Sequence, residues 1–325
     1  MKFQRLLQLI LVVLMVAPPA LAQVAGYPAK PVRMVIPYPP GGAVDALARA
    51  VANDLGKAWG QPVVIESKPG AGGVAGAVAV ANSAADGYTI FFTDQTPLTI
   101  TPFLQRDLPY DPQKDFAAVV TVIESSSMVV VPAKFPVNSI AELIAAAKAK
   151  PGALNFGSWG LGSTAHLDPE EFALIAKVNM THVPFKGAAD MFRSLLSGEI
   201  QLAFISLGAA LPQIKQGAFK PLGYGAIKRT PLLPDVPTVA ESGLPGFDER
   251  SWLGILAPGA TPRPLINKIA ADTARVLAVP AFKEKFIDSL GFEASSLPPD
   301  TFAKLIDETR AKRQAQLLRL KLQVN

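Results

Sequence analysis

The stretch from Val32 to Arg49, VRMVIPYPPGGAVDALAR, decides the fold of this chain. A short apolar run rich in β-branched residues ends in prolines and two glycines, and an alanine-rich segment with helical spacing follows. This order predicts a strand, a tight loop and a helix. Unpaired N–H groups at the start of such a helix attract anions. Asp45 lies in the predicted first turn, where its carboxylate can accept hydrogen bonds from those groups.

Composition restricts the class of protein. Of 325 residues, 50% are hydrophobic and 18% are charged, and none is cysteine. Such a chain can bury large cores without disulfide bonds, and its length predicts two domains. Basic and acidic residues nearly balance, which excludes a protein built to bind nucleic acid.

The N-terminus is typical of a secretory signal peptide. Lys2 and Arg5 precede an apolar segment, and Ala20-Leu21-Ala22 has the small residues of a cleavage site. We expect cleavage after Ala22, so that residues 1–22 are removed and the mature chain is periplasmic. Cleavage leaves 29 basic residues against 26 acidic ones. We expect the mature chain to be a monomer with no membrane span.

Two further strands continue the pattern of the first unit. The strand Pro62 to Glu66 leads into a second glycine loop, Pro69 to Gly73, and a helix from Val74 to Ala84. The strand Tyr88 to Thr93 ends at Asp94. This alternation predicts an α/β fold with a parallel sheet, in which ligands bind beyond the carboxyl ends of the strands.

The middle of the chain predicts a second domain. Two apolar strands, Phe116 to Ile123 and Met128 to Val131, are joined by the polar residues Glu124 to Ser127, which suits a crossing between domains. A second alternating series follows, with a third glycine loop from Trp159 to Thr164. The strand Ser251 to Pro258 can return the chain to the first domain.

The predicted order inserts one α/β domain into another. Residues 23–123 begin domain 1, residues 124–247 form domain 2, and residues 248–325 return to domain 1 and end in helices. The region 221–245, rich in proline, predicts irregular structure. Two crossing segments form a hinge with a cleft between the domains, as in periplasmic binding proteins.

The second glycine loop offers an alternative function. Gly70 to Ala75 matches G-x-G-x-x-A after a strand, and Asp94 ends the next strand, which is the fingerprint of a dinucleotide site in an NAD-dependent oxidoreductase. Three features weaken it. A complete strand–loop–helix unit precedes the loop, Pro69 removes an N–H group, and export separates the protein from the NAD pool.

Ser163 and His166 resemble a catalytic pair only superficially. The spacing G-x-S-x-G is absent at Ser158 and Ser163, so no nucleophile elbow is predicted. Hydrogen bonding to a ligand or a helix end is the simpler role. Two histidines and no cysteine give no recognisable transition-metal spacing. We therefore predict no catalytic residue and no metal ligand.

Seven motifs in order carry a resemblance to a known family. They are Tyr38-Pro39-Pro40-Gly41-Gly42 with Asp45 and Arg49, Lys68 to Gly73, Asp86 to Thr89, Leu108 to Pro112, Gly160 to Leu167, Val183 to Gly187, and Pro237 to Gly243. Together they resemble the Bug-type extracytoplasmic solute receptors, the substrate-binding proteins of tripartite tricarboxylate transporters. The resemblance runs from about Tyr27 to the C-terminus.

The resemblance implies a type II periplasmic binding fold that closes on a small organic acid and presents it to membrane permease subunits. It implies no cofactor and no enzymatic step. Main-chain N–H groups, hydroxyls and waters would hold the ligand carboxylate between the first loops of the two domains. The implied ligand-binding residues are Tyr38, Pro40, Gly41, Gly42, Asp45, Thr93, Asp94, Gln95, Ser158, Trp159, Gly162, Ser163, Thr164, His166, Lys186 and Gly187.

Several points stay open. Lys186 either neutralises a ligand anion or is a solvated loop lysine. The family often has Tyr at Phe185 and Asp-Asn at Ile205-Ser206, and a neutral polar residue at Asp94, so this chain departs from it at three places. Its ligand is therefore open, and a sensory subunit that signals to a membrane kinase is an alternative to a transport receptor.

If the second glycine loop only turns the chain, NAD and NADP at millimolar concentration will not change the melting temperature of the mature protein. Thermal unfolding followed by a fluorescent dye measures this directly. A saturable shift, or a nucleotide that copurifies with the protein, would instead support the oxidoreductase.

Overall fold

The computed structural model describes residues 26–41, 43–185 and 188–322. The predicted signal peptide and its cleavage site at Ala22 lie outside the described residues, as do Gly42, Lys186 and Gly187. Within the described ranges, no helix combines the length and apolar character that a membrane span needs.

Strands and helices alternate along most of the chain. The strands are β1 (Val32–Ile36), β2 (Val63–Ser67), β3 (Thr89–Asp94), β4 (Phe116–Pro132), β5 (Asn155–Ser158), β6 (Thr181–Pro184), β7 (Leu202–Ser206), β8 (Phe219–Tyr224), β9 (Arg250–Pro258) and β10 (Glu293–Ala294). The helices are α1 (Ala43–Trp59), α2 (Val74–Ala81), α3 (Thr96–Thr99), α4 (Thr101–Leu104), α5 (Ile140–Ala149), α6 (Thr164–Ala176), α7 (Ala188–Ser197), α8 (Leu207–Lys215), α9 (Arg263–Leu277), α10 (Pro280–Phe286) and α11 (Pro299–Arg319).

The strands form one ten-stranded sheet with the order β2-β1-β3-β9-β4-β7-β5-β6, and β8 and β10 also pair with β4. The first half, β2-β1-β3, is parallel, and so is the group β6-β5-β7 in the second half. The parallel sheet predicted from the alternation is thus confirmed in each half. Between the halves, β9 and β4 run antiparallel to each other and to their outer neighbours β3 and β7.

The two predicted strands around the polar residues Glu124 to Ser127 are in fact one strand, β4, of 17 residues. The prediction of a link was wrong because these polar residues belong to the ladder. Ser126 pairs with Arg250 of β9, and Ser127 pairs with Ser206 of β7. The Ser126 hydroxyl donates to the main-chain oxygen of Glu249 at 2.9 Å, so its burial leaves no hydroxyl unpaired.

The apolar runs are continuous because both faces of the sheet are covered. Successive side chains of a strand point to opposite faces. Met34 and Ile90 pack on one face against α1 and α9. Val35 and Phe91 pack on the other face, where Phe302 of α11 joins them. The carboxyl ends of β1 and β3 therefore sit on a rigid base, which fixes the loops that follow them.

The region 221–245 is less irregular than predicted. Phe219–Tyr224 forms β8, which pairs antiparallel with β4 beside a register shift at Val129 and Val130. Pro221 has no N–H to donate, and a strand that pairs on one side can accommodate that loss.

Candidate functional site

The carboxyl ends of the adjacent strands β1 and β3 bring Tyr38 and Asp94 together. The Tyr38 hydroxyl is hydrogen-bonded to the Asp94 carboxylate. Asp94 also accepts hydrogen bonds from the N–H of Thr96 at 2.8 Å and from its hydroxyl at 3.1 Å. Asp94 therefore caps the start of α3 and at the same time orients Tyr38.

Burial controls the ionisation of this pair. It raises the pKa of Asp94, although the hydrogen bonds from Thr96 and Tyr38 oppose the rise. Burial and the neighbouring Asp94 charge raise the pKa of Tyr38 well above its ordinary value. Tyr38 is thus a neutral phenol whose proton is directed at Asp94.

Tyr38, Asp94 and Gln95 form one wall of the candidate site, and Gln95 is its least satisfied polar residue. Its side chain is 0% exposed, and neither its amide nitrogen nor its amide oxygen has a hydrogen-bond partner among the described residues. A buried amide without partners is costly, so such a group normally meets an ordered water or a ligand. It directly follows β3, at the edge of the sheet where ligands bind in α/β proteins.

The opposite wall is the glycine loop before α6. Ser163 occupies the N-cap position of α6, but its hydroxyl donates to the main-chain oxygen of Gly160 at 2.7 Å and no helix N–H uses it. The first turn of α6, which begins at Thr164, therefore has no side-chain cap. Its N–H groups and the positive end of the helix dipole suit an anion.

Gly162 brings this loop against the first half of the molecule. Its φ is +76°, and a Cβ placed there would come within 2.3 Å of Leu104 Cδ1 at the end of α4. A residue with a side chain would be strained at this φ, and the end of the Leu104 side chain would have to move aside. Glycine therefore suits this point of contact between the two halves.

The two histidines lie beneath the glycine loop. Their rings stack with centroids 3.9 Å apart, and His182 Nε2 lies 2.6 Å from the Ser158 hydroxyl. The N–H of Gly162 donates to Nδ1 of His166 at 3.1 Å. His166 and Ser158 are 3% and 0% exposed. We interpret both as supports of the loop, although the sequence predicted them as ligand contacts.

Burial keeps both histidines neutral. Burial and, to a smaller extent, the neighbouring His182 lower the pKa of His166 to about 4. Burial also lowers the pKa of His182. A neutral His166 can accept the Gly162 hydrogen bond, whereas a protonated ring has no acceptor nitrogen.

Asp45 has a similar supporting place in the first loop. It is 4% exposed, accepts from the N–H of Gly41 at 3.0 Å and pairs with Arg49 at 2.9 Å. The hydrogen bond from Arg49 lowers its pKa. Pro40 is exposed, and Asp45 links the turn that follows it to the first turn of α1.

The other predicted site residues differ in how deeply they are buried. Trp159 is partly buried and packs against the core of the second half. Thr93 is fully buried beside Tyr38, and Thr164 is partly buried at the start of α6. Ile205 is fully buried in the core of the second half.

The glycines of the second loop serve packing. A Cβ on Gly73 would lie 2.6 Å from Pro97, and one on Gly72 would lie 2.8 Å from the Thr101 hydroxyl. Side chains of α3 and α4 thus fill the space that a pyrophosphate would need close to the backbone. In the described parts of the chain, no group of three or more His, Asp or Glu side chains is placed to hold a metal ion.

Comparison with known proteins gives a consistent result. Residues 47–322 match the model of the family described as tripartite tricarboxylate transporter family receptor. The chain is 34% identical over 283 residues to protein BugT of Bordetella pertussis, covering 87% of each chain.

Two solved structures share the fold. One is R. palustris Rpa4515 with adipate, at a TM-score of 0.79 and 32% identity over 90% of this chain and 97% of the other. The second is MatC from Rhodopseudomonas palustris with bound malate, at a TM-score of 0.75 and 30% identity over 90% and 100% of the two chains. These likenesses confirm the predicted α/β fold of the two-domain periplasmic binding proteins.

The buried histidines predict a dependence of stability on pH. The pKa of His166 is about 4 in the folded protein and about 6.5 in an unfolded chain. The contribution of neutral His166 to the free energy of unfolding is fully present above pH 6.5. It is lost as the pH falls towards 4, because in this range only the unfolded chain takes up the proton. His166→Asn can still accept from Gly162 and should reduce the stability difference between pH 7 and 4.5 by about 1 kcal/mol, which allows for solvent screening.

Urea unfolding at several pH values measures this effect. Glu170→Gln is the control, because the Glu170 carboxylate lies 3.8 Å from Nε2 of His166 and burial raises its pKa. An equal pH dependence in wild type and His166→Asn would show that His166 does not set it.

Proposed function

Because this chain belongs to the family of tripartite tricarboxylate transporter receptors, we propose that it is a periplasmic receptor that delivers a small organic acid to a membrane transporter. The acid binds between the two halves of the sheet, and permease subunits receive it. The protein acts as a monomer, uses no cofactor and performs no covalent step. Domain 1 comprises residues 23–123 and 248–325, and domain 2 comprises residues 124–247.

One observation carries the proposal. The uncapped start of α6 follows the glycine loop, and the partnerless Gln95 amide follows β3 and precedes α3 and α4; the loop and the end of α4 meet at Gly162 and Leu104. The N–H groups of the first turn of α6 can hold one carboxylate without a formal positive charge. The Gln95 amide can both donate to and accept from the same ligand. A polar organic acid satisfies both walls at once.

The ligands of the solved relatives support the acid class. One of the two solved structures contains adipate and the other contains malate, and both ligands are dicarboxylic acids. In our proposal Gly42, Lys186 and Gly187 complete the carboxylate site, and Lys186 adds the positive charge. In the sequence, Gly42 follows Gly41 of the first glycine motif, and Lys186 and Gly187 end the motif Val183 to Gly187.

Asp94 sets the preference for the far end of the ligand. A second carboxylate near Asp94 would meet a like charge in a buried place, which costs binding energy. The Tyr38 proton is already directed at Asp94, so it does not serve a ligand oxygen. A hydroxyl, amide or ammonium group at that end would find an acceptor in Asp94.

The first test is a thermal-shift screen of mono- and dicarboxylic, hydroxy and amino acids against the mature protein. A ligand at a hundred times its dissociation constant adds about 2.7 kcal/mol to the free energy of unfolding, which raises the melting temperature visibly. A panel without any saturable shift would contradict the receptor function.

The second test is Asp94→Asn, assayed by calorimetry against matched pairs of mono- and dicarboxylates. Removal of the buried charge should shift the affinity ratio towards the dicarboxylate by on the order of tenfold, or 1.4 kcal/mol. Asp111→Asn is a matched control, since Asp111 accepts from the N–H of Gln113 at 2.9 Å as Asp94 does from that of Thr96. If the ratio of mono- to dicarboxylate affinity is unchanged in both variants, Asp94 only caps the start of α3.

A further inference from the structure

A cluster of buried charged residues lies behind the candidate site, and no motif of the sequence pointed to it. Arg313 of α11 is its centre, with Nη1 2.8 Å from Glu249 and 3.5 Å from Asp168 of α6. The side chains of all three are at most 3% exposed. Lys312 pairs with Glu249 at 2.8 Å from the partly exposed side. One guanidinium thus joins carboxylates from two distant segments.

The two carboxylates belong to different halves of the molecule. Glu249 directly precedes β9, and its main-chain oxygen accepts from Ser126 of β4, so it is fixed to the two strands that cross between the halves. Asp168 lies on α6, whose first turn is the proposed carboxylate site. Asp168 follows Thr164 by four residues, which places it one turn further on the same face, about 6 Å along the helix axis.

A second pair of contacts reinforces the first. Gln316 is fully buried, accepts from Arg313 at 2.7 Å and donates its amide N–H to the main-chain oxygen of Leu167 at 2.7 Å. Next to it, Leu317 of α11 packs with Leu167 and with Ile100, which directly follows α3. The same helix end therefore touches the wall that contains Gln95 and the wall that contains the glycine loop.

The other end of α11 is fixed in the first half. Phe302 and Ile306 belong to the core that contains Trp252 and Leu256, and the rings of Trp252 and Phe302 pack edge to face with centroids 4.9 Å apart. The helix is thus anchored at its start and reaches across to α6 near its end. Such an element connects the two halves in addition to β4 and β9.

We propose that Arg313 is a positioning residue, which holds α6 against the crossing strands so that its first turn faces the Gln95 wall at a fixed separation. This inference rests on the proposed receptor function, since it concerns the same site. A buried ion pair generally adds little stability compared with packed apolar side chains, whereas its geometry can specify one arrangement. The three buried charges then serve to specify how the two halves are arranged, in spite of the free energy that their burial costs.

The test measures the distance between the halves without any ligand, so it does not depend on whether an acid is found. The chain has no cysteine, and Lys57→Cys with Arg193→Cys places spin labels at side chains that are 70% and 78% exposed. With Arg313→Met, the double electron–electron resonance distance should lengthen by about 5 Å, one helix turn, or broaden by that amount. Lys304→Met is the control, because Lys304 lies on the same helix and, among the described residues, forms its ion pair with Glu308 of that helix.

Arg313→Met leaves the buried Asp168 without its arginine and Glu249 with Lys312 alone, and the variant can fail to fold. The triple variant Asp168→Asn, Glu249→Gln, Arg313→Met removes all three charges at similar volume and should show the same change in distance. Unchanged distances in a folded variant would overturn the positioning role. Loss of folding in both variants would also overturn it, since the cluster would then be a requirement of the fold. A longer distance together with a screen in which no acid binds would support the positioning role and reject the receptor function.

Discussion

The antiparallel pairing of β4 with β9 is the constraint on which the rest of the molecule depends. Its register runs from Phe116 opposite Pro258 to Ser126 opposite Arg250. Beyond that point β4 pairs with β7 and β8 of the second half, while β9 pairs with β3 of the first. The pair β4 and β9 therefore fixes the position of the parallel strands on either side. The loops at their carboxyl ends face each other for that reason.

The candidate site follows from this geometry and uses few formal charges. The N–H groups of α6, the Gln95 amide and the Tyr38 phenol are neutral, and Asp45 is already paired with Arg49. Neutral dipoles that are fixed in place can carry most of the contacts to an anion, and in our proposal Lys186 adds one positive charge. Asp94 is the carboxylate beside Gln95, which is why we assign ligand selectivity to it.

Local sequence signals predicted what depends on local physics. The β-branched run before Pro37 and the glycines after it gave β1 and the turn into α1, and the two other glycine loops were placed correctly. The serines of β4 were misread because their polarity suggests a link, whereas their main chains pair with neighbouring strands and the Ser126 hydroxyl donates to the main-chain oxygen of Glu249. Contacts between residues far apart in the chain could not be predicted from any local sequence pattern. Arg313 and Asp168 are 145 residues apart, and Gln95 is unusual only in lacking a partner after folding.

The central claim is that one ligand contacts both walls. A nuclear magnetic resonance titration of ¹⁵N-labelled protein with a stabilising organic acid tests it most directly. We predict that the side-chain amide of Gln95 and the main-chain amides of Thr164 and Ala165 shift together, with one common midpoint. Shifts confined to one wall, or two separate midpoints, would contradict a single site between the two halves.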